Sequence, residues 1–151
     1  MLELKDINKK FILGDNEIRV LKDVSLNIEA GEFISIIGQS GSGKSTLMNI
    51  IGCIDTPSSG SYKIDGRETA NLSGDELAAL RSKKFGFVFQ KYNLIATMDA
   101  TANVSLPAVY AGVGASERTK RAVELLDKLE LGDRTKSLPS KLSGGQQQRV
   151  S

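Results

Sequence analysis

The segment GQSGSGKS at residues 38–45 constrains the fold of this chain more than any other feature. Its glycines permit backbone conformations that other residues avoid, so that successive N–H groups can turn inward around an anion. The segment follows the apolar run 33–37 and precedes a helical pattern over residues 44–51. Because G-x-x-x-x-G-K-[ST] between a buried strand and a helix is the pattern of a phosphate-binding loop, the sequence predicts an α/β fold.

Each part of this loop has an expected role in binding a nucleoside triphosphate. Lys44 supplies a mobile ammonium group for the β- and γ-phosphates, and Ser45 places a hydroxyl on Mg²⁺. The helix that follows directs its positive end toward the phosphates. The alternative is a glycine- and serine-rich loop with an incidental lysine. The predicted binding residues of the loop are Gly38, Gln39, Ser40, Gly41, Ser42, Gly43, Lys44 and Ser45.

Composition excludes several other functions. The 151 residues carry 20 Lys and Arg against 18 Asp and Glu, and this net charge of +2 is too balanced for a nucleic-acid-binding surface. The chain has no histidine, so no imidazole base or ligand is available in it. Cys53 is the one cysteine and cannot form an internal disulfide, which favours a reducing compartment. The longest apolar stretches, 33–37 and 47–54, are too short to span a bilayer.

Hydropathy patterns place β-rich sequence before residue 90 and helical sequence after it. Alternating residues predict antiparallel strands over 2–8 and 18–28. The runs 33–37 and 85–89 are almost continuously apolar and predict interior strands of a parallel sheet. The other predicted elements are a turn at 14–16, a loop at 56–60, a strand at 62–66, a helix at 75–84 capped by Ser73, a helix at 116–130, and a loop entering a helix over 142–149.

A second glycine-containing turn, LSGGQ at residues 142–146, precedes the last of these helices. Alone it is typical of a turn and a helix cap. Together with the phosphate loop it resembles the ATP-binding cassette (ABC) family, whose signature is LSGGQ. Gln90 resembles the glutamine of the family's Q-loop, and Phe11 lies where the family places a ring that stacks on adenine. The alternatives are core packing for Phe11 and a solvated polar residue at a strand end for Gln90.

The resemblance implies the P-loop NTPase fold of the ABC type, with an antiparallel β-subdomain, an incomplete core sheet and a helical subdomain. Residues 1–151 would form the N-terminal portion of one ATPase domain, with the β-subdomain and phosphate-loop core in 1–90 and the helical subdomain with the signature in 91–151. Lys44 and Gln90 would be catalytic, and Ser45 and Gln90 would contact the metal.

In the family, two ATPase domains pair head to tail around ATP and Mg²⁺. Carried over to this chain, the nucleotide would be bound by residues of one copy, namely Phe11, residues 38–46 (which end at Thr46) and Gln90. The other copy would cap the γ-phosphate of that nucleotide. The capping residues implied are Ser143, Gly144, Gly145 and Gln146. The helical subdomain would dock on a membrane permease domain, which places the chain at the cytoplasmic face of the inner membrane.

Four stretches are similar to the macrolide-exporter branch of the family, which also includes lipoprotein-release and cell-division ATPases. They are residues 46–53, 87–90, 107–112 and 142–151. The resemblance implies the ATP-hydrolysing subunit of an exporter of the macrolide-efflux type. The alternatives are an ATP-gated clamp without transport, of the cell-division or lipoprotein-release type, and a nucleotide-binding fragment without turnover.

The family pattern continues past the signature with an apolar strand ending in Asp-Glu, a D-loop and a switch histidine, which these 151 residues do not contain. Asp75 and Glu76 follow a polar turn, while Asp127 and Glu130 belong to the solvated face of a helix. We therefore expect the chain alone not to hydrolyse ATP at a useful rate. We also expect it to self-associate, because interior strands without neighbours expose apolar edges.

Overall fold

The computed structural model describes all 151 residues and contains one antiparallel sheet, with strand order β2-β1-β3-β4. The strands are β1 (Leu2–Leu13), β2 (Asn16–Ile28), β3 (Ser59–Ile64) and β4 (Arg67–Glu68). Strands β1 and β2 form a hairpin in which Phe11 lies opposite Ile18. The predicted antiparallel strands and the turn between them are confirmed, and both strands are longer than the sequence pattern indicated. The predicted loop at 56–60 is shorter, because β3 begins at Ser59.

Five α-helices account for most of the remaining regular structure. They are α1 (Lys44–Ile51), α2 (Gly74–Lys84), α3 (Ala100–Tyr110), α4 (Ala115–Lys128) and α5 (Gly144–Val150), with short 3₁₀ turns at Thr69–Asn71, Gly132–Arg134 and Pro139–Lys141. Ser73 caps α2 as predicted, since its side chain accepts a hydrogen bond from the Glu76 N–H group. None of the helices combines the length and apolar character needed to cross a membrane.

The chain forms two compact units, Met1–Phe85 and Gly86–Ser151. Each has its own apolar core. The core of the first unit contains Leu4, Ile7, Leu21, Leu47, Ile50, Cys53, Tyr62 and Ile64. The core of the second contains Ala100, Leu126, Leu131, Leu142 and Val150. The functional division after residue 90 stays a prediction.

The prediction of interior strands at 33–37 and 85–89 is wrong, since neither run belongs to the sheet. Phe33 is 96% exposed, Ile37 87% and Val88 85%. An apolar run forms a central strand only when neighbouring strands satisfy its backbone and helices cover its faces. The physical reason for the difference is that no other strand of the structure pairs with these runs. Their exposed side chains agree with the expectation of open apolar surface.

Candidate functional site

The loop at 38–45 lies at the amino-terminal end of α1. Gly43 is the residue before the helix, and no side chain caps the N–H groups of the first turn. The first helical hydrogen bond runs from Leu47 N to Gly43 O over 2.9 Å. Leu47 and Ile50 are buried and fix α1 in the core of the first unit. Because the first N–H groups of a helix have no partner within it, this end of α1 is suited to an anion.

Backbone geometry explains the glycines of the loop. Gly43 has a φ angle of 89°, and a Cβ atom there would lie 2.9 Å from Leu21 Cδ2 and 3.1 Å from Val20 O on β2. Gly41 has a φ angle of 80° in open space. At Gly38 a Cβ atom would lie 2.7 Å from Ser42 Oγ, inside the loop. Side chains at Gly38 and Gly43 would therefore clash with Ser42 and with β2, and the positive φ angles at Gly41 and Gly43 favour glycine, as a loop whose backbone approaches a phosphate group requires.

The Lys44 side chain folds back across the loop. Its Nζ donates to Gly38 O and Gln39 O, both at 2.7 Å, and lies 3.4 Å from Ser42 Oγ. All three bonds are exposed to solvent, so oxygen atoms of an incoming anion could replace the carbonyl acceptors. The ammonium group and the uncapped helix end thus concentrate positive charge at one place.

Ser45 and Thr46 lie in the first turn of α1, with Ser45 exposed and Thr46 half-buried. Nowhere in the structure do three or more Asp, Glu, His or Cys side chains come together in a way that could hold a metal ion. A divalent cation at this loop would accordingly depend on the Ser45 hydroxyl together with oxygen atoms of a bound phosphate and water. The residues present fit a cation that arrives with a phosphate ligand.

Phe11 on β1 is 40% exposed and does not belong to the buried core, which contradicts the core-packing alternative. The Nζ atom of Lys9 lies 5.1 Å from the centroid of its ring. A cation at this distance is attracted to the face of an aromatic ring. An exposed ring of this kind could stack on a planar group such as a base.

Gln90 lies in the second unit, in an exposed bend beside a cavity of about 520 Å³. Because residues 87–89 form no strand, Gln90 does not end one as predicted. The rings of Phe87 and Phe89 stack at 5.7 Å, and Gln148 Nε2 donates to Phe89 O at 3.4 Å. The cavity is lined by Gln90, Lys91, Tyr92, Asn93, Leu94, Ala96, Pro139 and Gln147.

The LSGGQ segment forms the start of α5. Ser143 Oγ accepts from Gln146 N at 3.3 Å, while Ser143 N donates to Gln146 Oε1 at 2.8 Å, so the two residues form a reciprocal capping box. Leu142 is buried and holds the turn in the core of the second unit. A Cβ atom at Gly144 would lie 2.9 Å from Tyr92 Oη, whereas Gly145 faces open space. The Ser143 hydroxyl retains its own proton for a further acceptor.

The structure places Phe11 and the phosphate loop in the first unit, and Gln90 and LSGGQ in the second. Sequence reasoning missed three side chains near the other end of α1: Lys9, Tyr62 and Arg81. They lie on different elements, and no local motif connects them. The only sequence signal was the basic end of α2, which carries Arg81, Lys83 and Lys84.

Comparison with known proteins agrees with this geometry. A family profile described as ABC transporter matches residues 21–151. Proteins named macrolide export ATP-binding/permease protein MacB are 62% identical over the whole chain in Mannheimia succiniciproducens and 60% identical in Neisseria meningitidis. The chain spans about a quarter of the length of these relatives, 24% and 23% respectively.

A solved dimeric structure of the ATP-binding cassette MJ0796, in a post-hydrolysis state bound to ADP and Pi, superimposes with a TM-score of 0.90 and 48% identity. The match covers 99% of this chain and 66% of that one. The expected ABC-type fold, with its antiparallel sheet and helical part, is thereby confirmed. With a family match over residues 21–151, a glycine-lined phosphate loop and an LSGGQ helix start, this chain belongs to the ABC transporter family.

Proposed function

We propose that this chain is the ATP-binding part of an ABC exporter of the macrolide-efflux type. The observation that carries the proposal is the uncapped, glycine-lined start of α1 with the Lys44 ammonium group folded across it. The relatives that match the whole chain are named as ATP-binding and permease proteins for macrolide export. The loop alone supports only the binding of a phosphate group, and the names of the relatives support the link to an exporter.

Different residues of the first unit would bind different parts of the ATP molecule. Phe11 stacks on the adenine base, and the backbone N–H groups of residues 38–46 donate to the phosphates. Lys44 exchanges its loop carbonyl acceptors for β- and γ-phosphate oxygens. Ser45 offers its hydroxyl to Mg²⁺, which when bound neutralises developing charge on the phosphates. For Gln90 we propose the Q-loop role that the family resemblance implies, in which its side-chain amide would contact the metal or the attacking water.

A second copy of the domain completes the site. In the proposed head-to-tail dimer, Ser143, Gly144, Gly145 and Gln146 of one copy face the γ-phosphate bound by the other. Solved dimers of a related cassette support pairing in general. The proton that Ser143 keeps despite its capping role can be donated to a phosphate oxygen.

The proposed membrane partner is a permease, as in the relatives whose names combine ATP-binding and permease functions. The helical part of the chain would dock on it at the cytoplasmic face of the inner membrane. We propose no nucleic-acid partner, since the net charge of +2 provides no basic surface of the size that nucleic acids require.

For the 151 residues on their own, we propose nucleotide binding without useful turnover. General-base chemistry at the γ-phosphate needs a group that orients water. The chain has no histidine, and its Asp-Glu pair, Asp75-Glu76, does not end a strand: it lies in the first turn of α2, where Glu76 pairs with Arg67. A phosphate-release assay with measurable turnover that Lys44→Ala abolishes would contradict this part of the proposal.

Titration of a fluorescent ATP analogue in the presence of Mg²⁺ tests the binding proposal. Saturable binding is expected for the chain, with at least about a tenfold loss in Lys44→Ala, because an ammonium–phosphate hydrogen bond between charged groups is removed. Lys83→Ala is the matched control, since Lys83 is an exposed lysine of the same unit and its change should leave affinity unaltered. Equal affinity in Lys44→Ala and the unmodified chain would refute the proposal.

Segment exchange tests which process the chain serves. Residues 1–151 replace the matching segment of the Mannheimia succiniciproducens relative, to which they are 62% identical, and macrolide resistance of the host cell is measured. Restored resistance, lost again with Lys44→Ala, supports the exporter. Failure there, with rescue of a lipoprotein-release ATPase by the same exchange, would instead support the clamp without transport.

A further inference from the structure

The end of α1 opposite the phosphate loop is held by side chains from two other elements. The Tyr62 hydroxyl, on β3, donates to Ile51 O at 2.6 Å. The guanidinium group of Arg81, on α2, donates from Nη1 to Cys53 O at 2.5 Å. Both acceptors are backbone carbonyls at or just beyond the last turn of α1, where no further helical N–H group follows.

A third side chain holds the segment that leaves this helix. Lys9 on β1 donates from Nζ to Thr56 O at 2.8 Å and forms an ion pair with Asp55 at 2.6 Å. Its ammonium group is also the one that lies over the Phe11 ring. Donors from β1, β3 and α2 thus converge on the backbone of residues 51–56.

The charge of Arg81 also suits its place at the end of α1. The carboxyl end of a helix carries partial negative charge, and a cation there stabilises the helix by interacting favourably with its dipole. The last turn of α1 contains no basic residue of its own, so the cation comes from α2. Burial raises the pKa of Tyr62, so its hydroxyl keeps the proton that it donates.

The same helix carries the phosphate loop at its other end. A helix of eight residues is about 12 Å long, and α1 packs on the core through the buried residues Leu47 and Ile50 and through Ile51. Its first end lies close to β2 at Gly43, and the hydrogen bonds from Tyr62 and Arg81 hold its other end. The orientation of the first-turn N–H groups therefore depends on the last turn as well. A small rotation about the buried residues would move both ends together.

We propose that Arg81 and Tyr62 are positioning residues for phosphate binding, which act by fixing the carboxyl end of α1 and so aiming its first-turn N–H groups. This inference rests on the proposed function, since it concerns the same phosphate loop. Neither residue touches the ligand. Their loss weakens the binding of phosphate groups and leaves the binding of the base unchanged, because Phe11 lies on β1 and not on α1.

Calorimetric titration of Mg²⁺-tripolyphosphate and Mg²⁺-ATP, with adenosine measured by displacement of a fluorescent ATP analogue, separates these contributions. Arg81→Met and Tyr62→Phe are each expected to weaken tripolyphosphate and ATP by the same factor of about three to ten, with adenosine unchanged. Arg81→Lys keeps the charge and is expected to recover most of the affinity. Arg67→Met is the matched control, because Arg67 only pairs with Glu76 on the surface.

The outcomes are distinguishable. If the unmodified chain binds neither tripolyphosphate nor ATP, the proposed function fails. If the chain binds both and folded Arg81→Met and Tyr62→Phe match it, the positioning role is overturned. An equal loss for adenosine, or an equal loss in Arg67→Met, overturns it too, because general destabilisation then explains the data. Should Arg81→Met not fold, Tyr62→Phe decides, since it removes one hydroxyl and keeps the ring in the core.

Discussion

Replacement of Gly43 by alanine tests the geometry of the phosphate loop directly. The left-handed conformation at this residue costs a side chain about 1–2 kcal/mol. The added methyl group would lie 2.9 Å from Leu21 Cδ2 and 3.1 Å from Val20 O, and overpacking of this kind adds about 1 kcal/mol. Alanine also restricts the unfolded chain, which returns about 0.4–1 kcal/mol. We expect Gly43→Ala to lower the free energy of unfolding by about 2 kcal/mol.

Two further alanine substitutions in the same unit separate the components. Gly41 has a φ angle of 80° but no atom within 4 Å of an added Cβ, so Gly41→Ala should cost about 1 kcal/mol from backbone strain alone. Gly74 begins α2 without positive φ and in open space, so Gly74→Ala should be neutral or stabilise by about 0.5 kcal/mol. Urea denaturation followed by far-UV circular dichroism measures all three.

The order of the three variants is the result that matters. If Gly43→Ala is no less stable than Gly41→Ala, the close approach of the loop to β2 is not as the structure has it. If Gly41→Ala is as stable as Gly74→Ala, the left-handed backbone of the loop carries no cost, and a positive φ angle does not explain glycine at residue 41.

Three other expectations follow from single contacts. Ser143→Ala removes the capping box of α5 and should cost about 1 kcal/mol in urea denaturation; no loss would show that the box does not hold the signature turn. Hydrogen bonds from Lys84 and from the N-terminal ammonium group lower the pKa of Asp65 to about 2. Asp65→Asn should therefore be less stable than the unmodified chain near pH 6, and the difference should shrink as the pH falls toward 2. A difference in stability that does not change with pH would contradict this. Burial raises the pKa of the Cys53 thiol, which is 4% exposed, so a thiol reagent at pH 8 should label it only as fast as the first unit opens; labelling at the rate of a free thiol would place Cys53 outside the core.

Local patterns were enough to predict the elements that need little from the rest of the chain. The hairpin of β1 and β2 joins neighbouring segments, and α2 begins with a capping box contained within four residues. Runs 33–37 and 85–89 show the limit of such patterns. Their composition encodes a strand, but a strand exists only where a partner supplies hydrogen bonds. Helix α3 was not predicted separately, because it contains Pro107 and has no clear apolar stripe.

The site divides in the same way. The phosphate loop and LSGGQ are contiguous motifs whose chemistry depends on their own backbone, so the sequence alone locates them. The hydrogen bonds at the carboxyl end of α1 join residues as far apart in the sequence as Cys53 and Arg81, and only tertiary packing brings these residues together. Phe11 is an intermediate case, because the sequence identifies the residue but does not predict whether its ring is exposed or buried.

In the empty loop, two backbone carbonyl oxygens already accept hydrogen bonds from the Lys44 ammonium group and so compete with a phosphate ligand for it. The free energy that Lys44 contributes to binding is therefore the difference between its hydrogen bonds to the phosphate and its hydrogen bonds to these carbonyl groups. A variant without the lysine loses both the contact with the ligand and the contact that closes the empty loop, and its reduced affinity underestimates the strength of the lysine–phosphate bond itself.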